Sequence, residues 1–190
     1  MKPRREYTLF SRSVSRFVVA SDAAYEGGRG TAGFLIVLDP ATPEESRYGV
    51  VVEIPEGLYA LWGDMGTYIS QLELLMGAAA LLVFAPRLRG RIGVWLVDNV
   101  PALMALVGGS SRVPSLDEIS LLVHAGMFAL KAQAFYEWVA SESNWSDGIS
   151  REGAEDEWAR RHAFQLSTFT FPLGVLGLPF RAVVEMFEFL

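Results

Sequence analysis

Cysteine is absent from the 190 residues of this chain. Its absence excludes disulfide bonds, metal sites built on thiolates and a cysteine nucleophile. A protein without disulfides is compatible with a reducing compartment, although the composition does not establish one.

Long hydrophobic runs are also missing. The longest, LLMGAAALLVFAP and FTFPLGVLGLPF, are shorter than the roughly 20 residues that a membrane-spanning helix needs. The charged N-terminus MKPRREYTLFSRS lacks the uninterrupted apolar core of a signal peptide. We therefore expect no membrane partner and a cytoplasmic or nuclear, intracellular location.

Positive charge is scarce relative to negative charge. Sixteen Lys and Arg stand against 22 Asp and Glu, which gives a formal net charge of −6. Bulk electrostatic attraction alone would therefore not hold a nucleic acid. A local basic surface remains compatible with this balance, and clustered active-site carboxylates would themselves add negative charge.

Apolar and aromatic residues are abundant. Hydrophobic residues make up 51% of the chain, and twelve Phe with five Trp supply large side chains for a core. This composition is typical of a folded globular protein, and 190 residues suit one domain with a substantial interior.

The first part of the chain predicts an antiparallel meander. RFVVASDAAY is typical of a strand that ends at Asp22, and the turn EGGRG joins it to a second strand, TAGFLIVLD. RYGVVVEIPE follows a polar loop and predicts the third strand. Short turns favour antiparallel pairing of these three strands.

Helices dominate the next part. Apolar residues at helical spacing predict a helix from Tyr68 to Pro86, where proline ends it. RIGVWLVDN predicts a fourth strand ending at Asp98, followed by the short helix VPALMALVGG. Ser115 is expected to cap a longer helix that runs to about Lys131. AFYEWVA predicts a fifth strand, and a final helix is expected from Ser150 onward.

This order predicts a mixed α/β fold: a five-stranded sheet flanked by helices, with the first three strands antiparallel. Helical crossovers favour placing the fourth and fifth strands parallel to the first.

Four acids occupy comparable positions in this order. Asp22 ends the first predicted strand, Asp98 ends the fourth, Glu73 lies in the long helix, and Asp147 precedes the last helix. If the first and fourth strands are adjacent and parallel, all four carboxylates can approach one point. Clustered carboxylates raise one another's pKa, and divalent cations with oxygen ligands, such as Mg²⁺, remove that penalty. Two such ions about 4 Å apart suit phosphoryl displacement.

Four sequence strings carry a family resemblance. They are SDAAYEGGRGTAGFLI, YISQLELLMGAAALL, VWLVDNVPALMALVGGSS and EWVASESNWSDGISR. In this order they resemble the ribonuclease H domain of reverse-transcribing elements, of the retrotransposon type. The resemblance spans about residues 17–151, and the last string is its most specific part.

The resemblance implies a ribonuclease H-like fold and a metal-dependent endonuclease that hydrolyses the RNA strand of RNA–DNA hybrids. It implies that Asp22, Glu73, Asp98 and Asp147 are catalytic and hold two Mg²⁺ ions, for which Mn²⁺ can substitute. Implied partners are the hybrid and a polymerase domain of the same element. The expected organisation is an N-terminal extension (1–13), a ribonuclease H-like domain (14–166) and an apolar C-terminal extension (167–190).

Five further residues are candidates for substrate contact. Asn144, Ser150 and Arg151 match the last string of the resemblance, and Asn99 follows the acid of the third. Arg29 lies in the first hairpin, on an edge that the resemblance places near the substrate.

Ordinary structural roles remain open for each acid: an Asx turn at Asp22, a solvated helix position at Glu73, a cap of the following helix at Asp98-Asn99 and a turn at Asp147. No histidine lies between Val139 and Asp147, where many family members carry one. The alternative function is therefore a domesticated, non-catalytic module of ribonuclease H fold that binds or serves a structural role.

Overall fold

The computed structural model describes residues 15–190, which form one mixed sheet with helices on both faces. The strands are β1 Arg16–Glu26, β2 Arg29–Leu38, β3 Ser46–Glu53, β4 Ile92–Val97, β5 Gln133–Trp138 and β6 Gln165–Thr170. The helices are α1 Gly57–Trp62, α2 Ile69–Leu88, α3 Val100–Gly108, α4 Pro114–Leu130, α5 Asp147–Glu152, α6 Glu157–Arg161 and α7 Phe180–Phe189. The strand order is β5-β4-β1-β2-β3-β6.

The predicted pairing of the first five strands is confirmed. β1, β2 and β3 form an antiparallel meander, while β4 pairs parallel to β1 and β5 parallel to β4. The parallel connections pass through α2 and through α3 with α4, as expected for helical crossovers.

The prediction of five strands is wrong, because β6 adds a sixth, parallel to β3. The sequence predicted one helix from Ser150 through this region. That helix is broken because Asp156 caps a separate helix, α6, by accepting hydrogen bonds from the backbone N–H groups of Trp158 and Ala159. Gly153, at φ 62°, ends α5 before that cap.

Alternate residues of β2 face different helix layers. Phe34 and Ile36 belong to the main core with α2, whereas Leu35 and Val37 form a second, smaller core with Ile149 of α5. This alternation follows from the two-residue period of a strand. α5 approaches the sheet closely over Gly33 and Gly49, where an added Cβ would lie 3.0 and 3.1 Å from Ile149 side-chain atoms.

β1 continues past the point where the sequence predicted its end. Its pairing with β4 stops at Ala20–Leu96, but its pairing with β2 continues to Glu26–Arg29. Asp22 therefore lies within β1 and not at its end. Because β4 ends before β1 does, a space is left next to residues 21–26 of β1 on the side of β4. We call this space the notch.

α2 is the central helix of the core. It extends two residues beyond Pro86, which lies within it, and Phe84 has non-helical torsions (φ −112°, ψ 15°) that mark a kink. Among the described residues, α2 is the one helix that length and composition would allow to cross a membrane, although 72% of its apolar window is buried inside the protein. Its packing against β1, β2 and α4 is that of a core helix.

Two helix ends test the predicted caps. Asn99 caps α3 by accepting a hydrogen bond from Ala102 N–H, and Gly109 closes that helix in the left-handed region. Ser115 does not cap α4, which begins at Pro114. Its hydroxyl instead accepts a 3.1 Å hydrogen bond from the side chain of Gln71 in α2.

The C-terminal segment contributes to the main core. Phe171, Val183 and Phe187 are buried in it, and α7 packs against α4. The predicted domain boundaries at residues 13–14 and 166–167 remain a prediction, and the first of them lies outside the described residues.

Candidate metal centre

Three acids from separate elements converge in the notch. Asp22 comes from β1, Glu73 from α2, and Asp98 from the turn directly after β4. One carboxylate oxygen of each lies within 4.8 Å of the others, a spacing at which all three could hold one metal ion. The fold thus brings together residues separated by 51 and 25 positions in the sequence.

Asp22 is buried, with 5% of its surface exposed. Burial raises the pKa of this carboxyl, the hydrogen bond from the Ser150 hydroxyl acts in the opposite direction, and the nearby charge of Asp98 raises it further. Ser150 lies on α5, so this hydrogen bond ties α5 to the acid in β1. The metal-free site therefore favours the protonated form of Asp22 more than water does.

Glu73 is the most strongly perturbed acid of the group. It is 4% exposed, and burial together with the charges of Asp22 and Asp98 raises its pKa to about 10. Its Oε1 atom accepts a 3.2 Å hydrogen bond from the backbone N–H of Ala23. A cation at this position would favour the ionised form that burial otherwise opposes.

Two buried oxygens of the cluster accept no hydrogen bond from the backbone N–H groups or side-chain donors of the described residues. Asp98 Oδ2 accepts a 2.7 Å hydrogen bond from the Ser141 hydroxyl, but Asp98 Oδ1 is buried and accepts none from residues 15–190. Glu73 Oε2 is also buried and accepts no hydrogen bond from these residues. Buried acceptors without donors are costly, and hard divalent cations prefer carboxylate oxygens. The donor set therefore fits Mg²⁺ or Mn²⁺.

Side chains replace the missing strand along the notch. Past Ala20, β1 has lost β4 as its neighbour, and the Ser21 carbonyl accepts a 2.9 Å hydrogen bond from the Asn144 side chain. The backbone N–H of Ala23, which also faces the notch, donates a hydrogen bond to the Glu73 carboxylate. Asn144 is buried and also accepts from the Ser146 hydroxyl, so it anchors the loop that precedes α5. This predicted substrate residue thus has a clear structural contact.

Asp147 lies outside the group of three. It is the first residue of α5, its side chain is 43% exposed, and its Oδ1 accepts a 2.9 Å hydrogen bond from Arg151. Its charge is still close enough to contribute to the raised pKa of Asp22. The structure therefore brings three of the four predicted acids together and places the fourth beside them, paired with an arginine.

The remaining candidates lie nearer the surface. Arg29 is exposed at the start of β2, and Asn99 follows Asp98 directly while its side-chain oxygen caps α3. Neither position contradicts substrate contact, and that role remains a prediction for both.

Sequence reasoning missed two contacts that shape the site. Ser141 donates to Asp98, and Trp95 Nε1 donates a 3.1 Å hydrogen bond to the Ser21 hydroxyl next to Asp22. No local pattern marks either residue, because both contacts depend on how the loop after β5 and the strand β4 come together in the folded chain.

A scan against models of known protein families and a search of curated proteins each found no match. Solved structures with a similar fold were found. RNase H1 from the halophilic archaeon Halobacterium salinarum is 18% identical, with a TM-score of 0.51 over 74% of this chain and 98% of that one.

Two further structures align with lower scores. The N-terminal RNase H domain of a Mycobacterium tuberculosis protein, fused to maltose-binding protein, is 20% identical over 80% of this chain and 100% of that one, with a TM-score of 0.49. LC11-RNase H1, isolated from compost by a metagenomic approach, is 14% identical over 78% and 99%, with a TM-score of 0.47. From the archaeal alignment and the mixed sheet described above, we conclude that this chain has a ribonuclease H-like fold.

Proposed function

We propose that this protein is a metal-dependent endonuclease that hydrolyses the RNA strand of RNA–DNA hybrids. The observation that carries the proposal is the convergence of Asp22, Glu73 and Asp98, two of whose buried oxygens accept no hydrogen bond within residues 15–190. Such a cluster is unfavourable without a cation. The similarity to RNase H1 supports the choice of substrate at the level of the fold.

Bound divalent cations would supply a Lewis acid and a nucleophilic water at neutral pH. The protein residues fix the geometry. Asp22, Glu73 and Asp98 would be the ligands, and Asp147 would complete the set by releasing Arg151. Ser150 and Ser141 hold the carboxylates of Asp22 and Asp98 in place by hydrogen bonds, so the ligand oxygens are oriented before a cation binds. We propose two Mg²⁺ ions, replaceable by Mn²⁺.

The retroelement type is a further part of the proposal and rests on the four sequence strings, above all on EWVASESNWSDGISR. In that setting a polymerase domain of the same element is the expected partner. The site of action is then cytoplasmic or nuclear.

Cleavage of a defined hybrid tests the proposal. Purified protein with Mg²⁺ should cleave the RNA strand of a labelled RNA–DNA hybrid, and Asp98→Asn should reduce cleavage to background because it removes a charged ligand. The matched control is Asp117→Asn, which makes the same change at an exposed position of α4 and keeps an acceptor for Ser111 N–H. Full activity in Asp98→Asn would reject the assigned role of Asp98.

A non-catalytic binding module is the second candidate. It is favoured by the pairing of Asp147 with Arg151 and by the lack of a histidine between Val139 and Asp147. Metal-induced stabilisation separates a working metal centre from an inert acidic cluster. A cation at a hundred times its dissociation constant should raise the free energy of unfolding by about 2.7 kcal/mol. An unfolding midpoint that does not move with Mg²⁺ or Mn²⁺ favours the second candidate.

A further inference from the structure

Three aromatic rings, from the loop before α5 and from α6 and its C-terminal end, lie next to one another with nearly parallel planes. Trp145 and Trp158 have ring centroids 6.3 Å apart with planes at 27°, and Trp158 and His162 are 4.0 Å apart with planes at 26°. Both tryptophans remain partly exposed, at 38% and 39% of their surface. We refer to Trp145, Trp158 and His162 as the aromatic platform.

The platform is held in place by buried polar residues. Trp145 stands between Asn144 and Ser146, which are both buried and hydrogen-bonded to each other. Trp158 follows Asp156, which is also buried and fixes the start of α6. Because the backbone at both tryptophans is fixed and their rings contact one another, the rings lose little side-chain freedom on binding.

Two cavities meet at these rings. One, of about 430 Å³, is lined by Asn144, Asp147 and both tryptophans, so it borders the acid that lies beside the group of three. The other, of about 310 Å³, lies on the far side of the tryptophans and is lined by His162, Phe164 and the ion pair Arg47–Glu45. A ligand strand that passes Asp147 would therefore enter a cavity that both tryptophans line.

Flat, partly exposed aromatic rings suit one type of ligand. Nucleobases stack on tryptophan irrespective of their sequence, and this contribution to the binding of single strands is separate from the attraction between phosphates and positive charge. The net charge of −6 makes this distinction relevant, because this chain lacks the excess of positive charge that holds phosphates.

We propose that the aromatic platform binds unpaired bases of a nucleic-acid strand that extends from the candidate catalytic notch. In the cavity of about 310 Å³, the Arg47 guanidinium and the Glu45 carboxylate then face the edge of a stacked base. The inference rests on the proposed function for its choice of ligand. Its physical basis, an exposed and preorganised indole stack, is independent of metal and of catalysis.

Binding of a single strand in the absence of cations tests the platform. The 190-residue chain is titrated into a short fluorescein-labelled oligothymidylate in EDTA, and binding is followed by anisotropy and by quenching of the protein's tryptophan fluorescence. Trp145→Ala should weaken binding about fivefold or more, since loss of one stacked base has an effect of this order. Trp145→Phe should keep much of the affinity but quench less, because one indole of the stack is gone.

Phe128→Ala is the matched control. Phe128 is an exposed aromatic residue on α4 and contacts Phe180 of α7, so its loss should leave the affinity unchanged. Unfolding midpoints of all variants show which of them are folded. If Trp145→Ala fails to fold, the test depends on Trp145→Phe, whose tryptophan fluorescence should be quenched less by the oligonucleotide than that of wild type. Wild-type protein that does not bind the strand, or a folded Trp145 variant with wild-type affinity and quenching, overturns the platform.

The two proposals can fail separately. A protein that cleaves the hybrid but binds oligothymidylate independently of Trp145 retains the proposed function and loses the platform. One that cleaves no hybrid but binds the strand through Trp145 retains the platform alone.

Discussion

At the scale of single residues, the site depends on acids that are buried before any cation arrives. Asp22 and Glu73 both have raised pKa values, chiefly because burial disfavours their charged forms. Their contacts are specific: Ser150 donates to Asp22, and the backbone of Ala23 donates to Glu73. The metal-free protein thus holds its ligands in position at a cost in stability that depends on pH.

Glu73→Gln should change how the stability of the metal-free protein depends on pH. In the folded state the Glu73 pKa is about 10, above its ordinary value of 4.5. Between these values the unfolded chain releases this proton while the folded chain keeps it, so the free energy of unfolding falls as pH rises. The upper limit is about 1.4 kcal/mol per pH unit. Glutamine does not titrate, so the free energy of unfolding of the variant should fall less than that of wild type as pH rises.

The measurement is chemical denaturation in EDTA at several pH values between about 5 and 9. The stability of wild type relative to Glu73→Gln should decline across this range, and Mg²⁺ should reduce the decline because it binds the ionised acid. Parallel pH profiles for the two proteins would contradict the raised pKa of Glu73.

At the scale of elements, the position of α5 depends on small residues in the sheet beneath it. A Cβ added at Gly33 would lie 2.9 Å from the Val50 carbonyl oxygen and 3.0 Å from the Ile149 side chain. Ile149 precedes Ser150, the donor to Asp22. The spacing between α5 and the sheet therefore controls the geometry of the acidic cluster.

Gly33→Ala should push α5 away from the sheet and destabilise the protein by about 1–3 kcal/mol, as overpacking commonly does. It should also reduce the stabilisation that Mg²⁺ provides, because Ser150 moves with α5. Gly174→Ala is the control, since no heavy atom within the described part of the chain lies within 4 Å of an added Cβ there. Equal unfolding midpoints for the two variants would show that α5 tolerates a larger residue.

The sequence predicted most elements but not all of their ends. Runs of β-branched and apolar residues identified five strands, and Asn99 with Gly109 marked α3 at both ends. β6 was missed because most of its residues are exposed, so it lacks the apolar pattern of a core strand. Pro86 did not end α2, since the chain accommodates it after a kink at Phe84.

At the scale of the whole molecule, the C-terminal segment is part of the main core. Phe187 of α7 is fully buried, whereas Phe189 is 92% exposed two residues later. Phe187→Ala should therefore lower the free energy of unfolding by about 3–5 kcal/mol. Phe189→Ala should have little effect, because its ring gains little from burial. Thermal or chemical denaturation of both variants checks this, and a similar small loss in each would indicate that α7 packs only loosely.

The candidate site was predictable from the sequence only where the order of strands and helices determines which residues meet. Asp22, Glu73 and Asp98 were found because the order of strands and helices brings them to one point beside β1. The position of Asp147 was not fixed by that order, since the pairing with Arg151 depends on where α5 begins. The contacts of Ser141 and Trp95 arise only from tertiary packing and leave no trace in the local sequence.

The early end of β4 has one more consequence. Because Glu73 takes the place of a neighbouring strand at the Ala23 amide, a main-chain proton of the sheet reports directly on a ligand of the candidate metal centre. Its NMR resonance and its rate of exchange with solvent would respond to the charge state of that carboxylate. The fold thus contains a spectroscopic sensor of cation binding that requires no added reporter group.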